Sequence, residues 1–148
     1  MPSKEERQAE AKKHIALMKS VFSAETDAAI KSAKFYEDGE GRELPIPEPR
    51  FEATATEVTT DFMVTALYKH KGTVALVDPA AFSKPAGGYE EGSFGPEQAL
   101  CSESNLYPVL SGLKKEYYDK NRGFASGQIY NDHAMYLSDV TFTRNGSI

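Results

Sequence analysis

A chain of 148 residues with 40% hydrophobic and 26% charged residues has room for one domain with a real core, and its composition fits a soluble globular protein better than a disordered one. A formal net charge of −5 excludes nucleic-acid binding through a broad basic surface and leaves only a local strip at Lys114, Lys115, Lys120 and Arg122. The single cysteine, Cys101, rules out an internal disulfide framework and suits a reducing cytosol, so a cytoplasmic location is expected.

The N-terminus is charged from Lys4 onward, which is incompatible with a secretory h-region, and no apolar run approaches membrane-spanning length. Ser3 followed by Glu6 predicts a capping box, each side chain satisfying the other's free backbone N–H. The helix it opens carries Ala11, Ile15, Met18 and Phe22 on one stripe. A second helix is predicted from Ser23, with Ala29, Ile30, Ala33 and Phe35 inward, stopping at Glu37–Gly41. Pro45, Pro47 and Pro49 make the next stretch an extended connector, because proline removes helix and ladder donors alike. Residues 1–50 are thus expected to form an N-terminal helical extension with a Pro-rich connector, and 51–148 an α/β domain.

Phe51, Ala53 and Ala55 alternate with Glu52, Thr54 and Thr56, which predicts a strand with one buried face. A helix follows from Thr60 and Asp61, with Phe62, Val64, Leu67 and Tyr68 available for packing, and Gly72 ends it. The Val-rich run from Thr73 to Ala80 predicts a strand buried on both faces. Strand, helix, strand implies a parallel pair with a right-handed crossover. Four glycines between Gly87 and Gly95 follow, where α/β proteins place ligand loops. Pro96 suits the first turn of a helix, with Glu97 beside its positive end. Helical spacing continues to Asn121, interrupted at Pro108 and Gly112; residues 123–134 read as loop and 135–144 as a final strand.

Gly87 and Gly88 would let backbone N–H groups turn inward as an anion-binding nest, or serve a structural turn. The loop has neither a P-loop ending nor Gly-x-Gly-x-x-Gly. Glu90 and Glu91 could coordinate a cation such as Mg²⁺, or be exposed loop charge. Lys84 could pair with a phosphate or be a plain surface lysine. Cys101 is expected as a buried core residue. His14, His70 and His133 lack metal-ligand spacing, so no zinc or other cofactor is expected, and His133 reads as part of a polar loop. Tyr107, Tyr117 and Tyr118 read as core or interface aromatics, with base stacking as the alternative.

The strand "VALVDPAAF", the loop "KPAGGYEEGSFG" and the helix "PEQALCSESNLYPVL" together resemble the microbial type of poly(ADP-ribose) glycohydrolase, a family of the macrodomain fold. "SAETDAAIKSAKFY" and "MYLSDVTFTR" extend the resemblance over most of the chain. It implies a partial macrodomain-like mixed sheet flanked by helices, with 51–148 as the N-terminal half of that domain. It also implies a ligand site at Asp78, Lys84, Ala86, Gly87, Gly88 and Tyr89. Against the family pattern, Asp78 stands at the strand-end asparagine, Lys84 at the loop asparagine and Ala86 at the first loop glycine. The family's Gln-Glu-Glu matches Pro96, Glu97 and Gln98, so an amide occupies the position of the catalytic acid. Glu97 could serve only with the helix start shifted by one residue; otherwise it is a solvated or helix-capping carboxylate.

Three functions follow from these residues. One is an ADP-ribose-binding relative with reduced or lost hydrolase activity. The second is an active glycohydrolase completed by oligomerisation. The third is an interaction module that binds no nucleotide. The expected partners are ADP-ribose or an ADP-ribosylated protein and a second copy of the chain, with no membrane and no nucleic acid. The family's second diphosphate loop and the aromatic that covers the adenine have no counterpart before Ile148, and an unpaired sheet edge is expected.

Overall fold

A computed structural model describes residues 2–122 and 132–143. The chain opens with α1 (Lys4–Val21), whose start is fixed by the Ser3–Glu6 capping box that the sequence predicts. Ala11, Ile15 and Met18 are buried along its inner stripe, together with His14. Helix α2 (Ser23–Ser32) follows after Phe22 and buries Thr26 and Ala29. Phe35 belongs not to this helix but to strand β1 (Lys34–Tyr36), because the helix ends at Ala33 in an extended conformation. A short α3 (Glu40–Glu43) and an exposed stretch lead to α4 (Met63–Lys69).

The C-terminal half is a chain of short helices: α5 (Pro96–Glu103), α6 (Leu106–Gly112), a π-helical turn (Lys114–Tyr118) and α7 (Asp119–Arg122). The break before α6 and the irregular turn after Gly112 match the interruptions expected at Pro108 and Gly112. Pro108 sits within the first turn of α6, where a missing N–H breaks no intrahelical bond. Strand β2 (Ala134–Tyr136) pairs antiparallel with β1, Phe35 opposite Met135. The final strand expected over 135–144 is therefore short; beyond it only Phe142 bridges, to Ser104. The loop expected at 123–134 lies outside the described residues as far as Asn131, as does the end of the final segment from Arg144.

The strands expected at 51–56 and 73–80 do not form, and neither does their parallel crossover; among the described residues the only named sheet is the β1–β2 pair. Strands require a neighbour to take their backbone hydrogen bonds, and none of the described residues forms one beside these segments. Phe51 is 80% and Val77 87% exposed. Only Leu76 of the Val-rich run packs against the core.

That core gathers Ala11 and Ile15 of α1, Val64 of α4, Leu100 and Cys101 of α5, and Leu106 and Leu110 of α6 around Tyr118. Cys101, Tyr117 and Tyr118 are buried as expected. A second cluster joins Ala29 of α2 to Val109 and Leu113. No described helix is long and apolar enough to cross a membrane.

Candidate functional site

The glycine-rich segment wraps the N-terminal end of α5. Ala86, Gly87 and Gly88 have φ of 50°, 57° and 149° in succession, so the chain turns back on itself where an L side chain is disfavoured. Ala86 accepts that conformation although it carries a Cβ, at the position where the family pattern has glycine. The turn is closed by Gly87 N–H donating to the Lys84 carbonyl at 3.0 Å and Tyr89 N–H donating to the Ala86 carbonyl at 3.0 Å. A 3₁₀ turn over Tyr89–Glu91 and Gly92 then leads towards α5.

Helix α5 supports this turn from behind. Gln98 Nε2 donates to the Ala86 carbonyl at 2.9 Å, and a Cβ on Gly87 would sit 3.0 Å from that nitrogen. Glu97 lies under the loop, 3% exposed, and its Oε2 accepts the Ala81 N–H at 3.1 Å. Burial pushes the Glu97 carboxyl up to about 7, against the pull of the Ala81 N–H and with a further push from the Asp78 charge. Burial also raises Asp78, to about 6. Asp78 Oδ1, Glu97 Oε1 and Tyr118 OH are buried without a hydrogen-bond partner. Both shifts favour the protonated carboxyl more than water does.

The other expected residues are engaged as well. Lys84 pairs with Glu91 at 2.5 Å, which holds Glu91 below its ordinary value. Glu90 accepts the Tyr107 hydroxyl, so both loop carboxylates are committed to protein partners. Tyr89 is buried, its hydroxyl 3.2 Å from His14 Nδ1 and its ring 5.4 Å from that of Tyr107. Among the described residues no group of three His, Cys, Asp or Glu could hold a metal ion. Of the basic strip, Lys114 pairs with Asp119 and Lys120 with Glu37.

The structure brings together Asp78, Ala86, Gly87, Gly88, Glu97 and Gln98 around one turn. It adds residues that sequence reasoning did not find. Asn121 Nδ2 donates to the Phe82 carbonyl at 2.9 Å, and Asn121 Oδ1 lies 3.0 Å from His133 Nδ1. His133 is therefore buried in a network, not part of a polar loop: Tyr117 packs 4.8 Å from it, ring to ring, and donates its hydroxyl to the His133 carbonyl. Arg7 of α1 donates to the Gly92 carbonyl. No local signal marks these partners, because 39 and 85 residues separate them from the loop.

The family model described as microbial-type PARG, catalytic domain, matches residues 4–145. No curated protein matches the chain. The crystal structure of poly(ADP-ribose) glycohydrolase from Thermomonospora curvata superposes with a TM-score of 0.80 at 19% identity, over 96% of this chain and 58% of that one. The same enzyme bound to the inhibitor ADP-HPD gives 0.78 at 20% identity, over 96% and 56%; a single-substitution variant of it gives the same values. The mixed α/β fold expected from the resemblance is thus shared with these structures, and the chain spans 56–58% of their length.

Proposed function

Because the chain belongs to the microbial-type PARG catalytic-domain family, we propose that it is an ADP-ribose-binding domain with reduced or lost glycohydrolase activity. The observation that carries binding is the Ala86–Gly87–Gly88 turn, held from behind by Gln98 and Glu97. Its exposed Gly87 has no side chain to keep a diphosphate away from the backbone. Adjacent Lys84 can exchange Glu91 for phosphate as a point charge. The inhibitor bound by the Thermomonospora curvata enzyme supports the same ligand class here.

Reduced turnover follows from the two candidate acids. Glycosidic cleavage needs a proton delivered to the departing ribose oxygen. The Gln98 amide has no such proton to transfer and is committed to the Ala86 carbonyl. Glu97, pushed up to about 7 by burial, keeps more of its proton near neutral pH than an ordinary glutamate, which favours a second reading as a residual hydrolase, but its carboxyl lies beneath the loop. A cytoplasmic location and association with a second copy belong to the same proposal. Exposed Ile46, Val58, Phe62 and Val77 support the association.

Calorimetric titration with ADP-ribose, on protein whose mass is fixed by light scattering, tests this. Micromolar binding, about −8 kcal/mol, without release of ADP-ribose from a conjugate is the expected result. Release that Glu97→Gln abolishes would establish the hydrolase reading. No heat at high ligand concentration rejects both and leaves the interaction module.

A further inference from the structure

Gly92 closes the 3₁₀ turn of the loop at φ +77°, and what fills the space beside it is not a ligand but helix α1. A Cβ there would sit 2.4 Å from the Lys4 carbonyl oxygen and 3.0 Å from the Gln8 backbone nitrogen. Between those residues, Arg7 Nε donates to the Gly92 carbonyl at 2.8 Å while its Nη1 donates to the Pro2 carbonyl at 2.6 Å. Two turns along the same helix, His14 meets the Tyr89 hydroxyl, and their rings stand edge to face. Helix α1 therefore grips both ends of the Tyr89–Gly92 turn. The Ser3–Glu6 capping box fixes the first turn from which Arg7 reaches.

We propose that α1 is the positioning element of the ligand loop, with Arg7 as the positioning residue that holds Gly92 and, through the turn, the shape of Gly87 and Gly88. This rests on the ADP-ribose reading above. The loop's own backbone bonds are all local: Gly88 and Tyr89 donate to Ala86, Glu91 and Ser93 to Gly88, and Gly92 to Tyr89. Local bonds in a glycine-rich segment leave many alternative turns of similar energy. Helix α5 fixes the loop at Ala81 and Ala86; among the described residues, α1 alone fixes it at Gly92. Without that charge-assisted bond the ligand must order the turn itself, which weakens binding.

The test measures amide hydrogen exchange across residues 87–93 of the full chain, together with ADP-ribose titration. It compares wild type, Arg7→Ala, Gly92→Ala and Lys12→Ala on the exposed face of α1. Arg7→Ala and Gly92→Ala are expected to speed exchange at the Glu91, Gly92 and Ser93 amides and raise Kd about tenfold. Lys12→Ala matches wild type. If Gly92→Ala does not fold, Arg7→Ala carries the comparison, and Arg7→Lys is expected to restore affinity in part. Unchanged exchange in Arg7→Ala overturns the proposal, and so does faster exchange with unchanged Kd. If the wild type binds no ADP-ribose, the functional reading falls. Exchange alone then decides whether α1 holds the loop: faster upholds it, unchanged overturns it.

Discussion

Residues 81–122 carry a smaller share of apolar residues than residues 44–80, 15 of 42 against 17 of 37, yet the chain buries the first region and leaves the second exposed. In the first region the loop is tied to α1, α5, α6 and α7 by Arg7, Glu97, Gln98, Tyr107 and Asn121. In the second, Ile46 and Val58 are more than 90% exposed, and Val64 is the one fully buried apolar side chain. A hydrophobic pattern is therefore a capacity for burial, realised only where another element supplies the matching face. The first region meets such faces on α1 and α2. In the second, Met63, Val64 and Leu76 pack against the core, and most of the remaining apolar side chains stay exposed.

Core truncation shows the contrast at its largest. Substituting Leu110 of α6, 1% exposed in the cluster with Ile15 and Leu100, by alanine costs about 2–5 kcal/mol of stability, read by urea unfolding. Phe51→Ala changes the same midpoint by about 0.5 kcal/mol or less, because Phe51 contributes almost no buried area. A large loss from Phe51→Ala would show that the exposed stretch is covered in solution.

A glycine pair gives an intermediate effect. Gly72 and Gly87 both have positive φ, but a Cβ on Gly72 meets open space, whereas one on Gly87 presses on Gln98. Gly72→Ala costs only the backbone term, about 1–2 kcal/mol. Gly87→Ala costs more than that and loosens the Gln98 support; equal melting temperatures for the two variants would contradict the packing around the loop.

The subtlest difference lies in pH dependence. The folded-state values of Glu97 and Asp78, about 7 and about 6, stand above the ordinary 4.5 and 3.8. Their contribution to stability is present in full below those ordinary values and is lost as pH rises through 6 and 7. Asp61, held down by Lys69 in the exposed region, works in the reverse sense: its contribution is lost as pH falls. Glu97→Gln should therefore melt higher than wild type at pH 8 and converge with it at pH 5. Parallel melting curves across that range would show that Glu97 is solvated.

Much of the helical framework was legible. Ser3 and Glu6 announced α1, its apolar stripe named Ala11, Ile15 and Met18 but missed buried His14 and ran on to Phe22, which caps the helix, and Pro96 located α5. The candidate loop was legible too, through Gly87, Gly88 and the residues resembling a family. The strands were not, because alternation at Phe51–Thr56 and a Val-rich run at 74–77 describe one side of a pairing that needs a second. The Ala29–Ala33 spacing continues into Phe35 and so predicts helix there, whereas the backbone turns extended at Ala33.

By itself the sequence determined what depends on neighbours a few positions apart: helix starts, the stripe of α1, and the turn that glycine permits. Tertiary structure alone decided why Gly92 must be glycine, where the Glu97 carboxyl lies, and that His133 is buried. Those facts depend on Lys4, Ala81 and Asn121 arriving from distant parts of the chain. Local sequence fixes torsions, but desolvation and close approach are properties of the surroundings, and the surroundings exist only once the chain has folded.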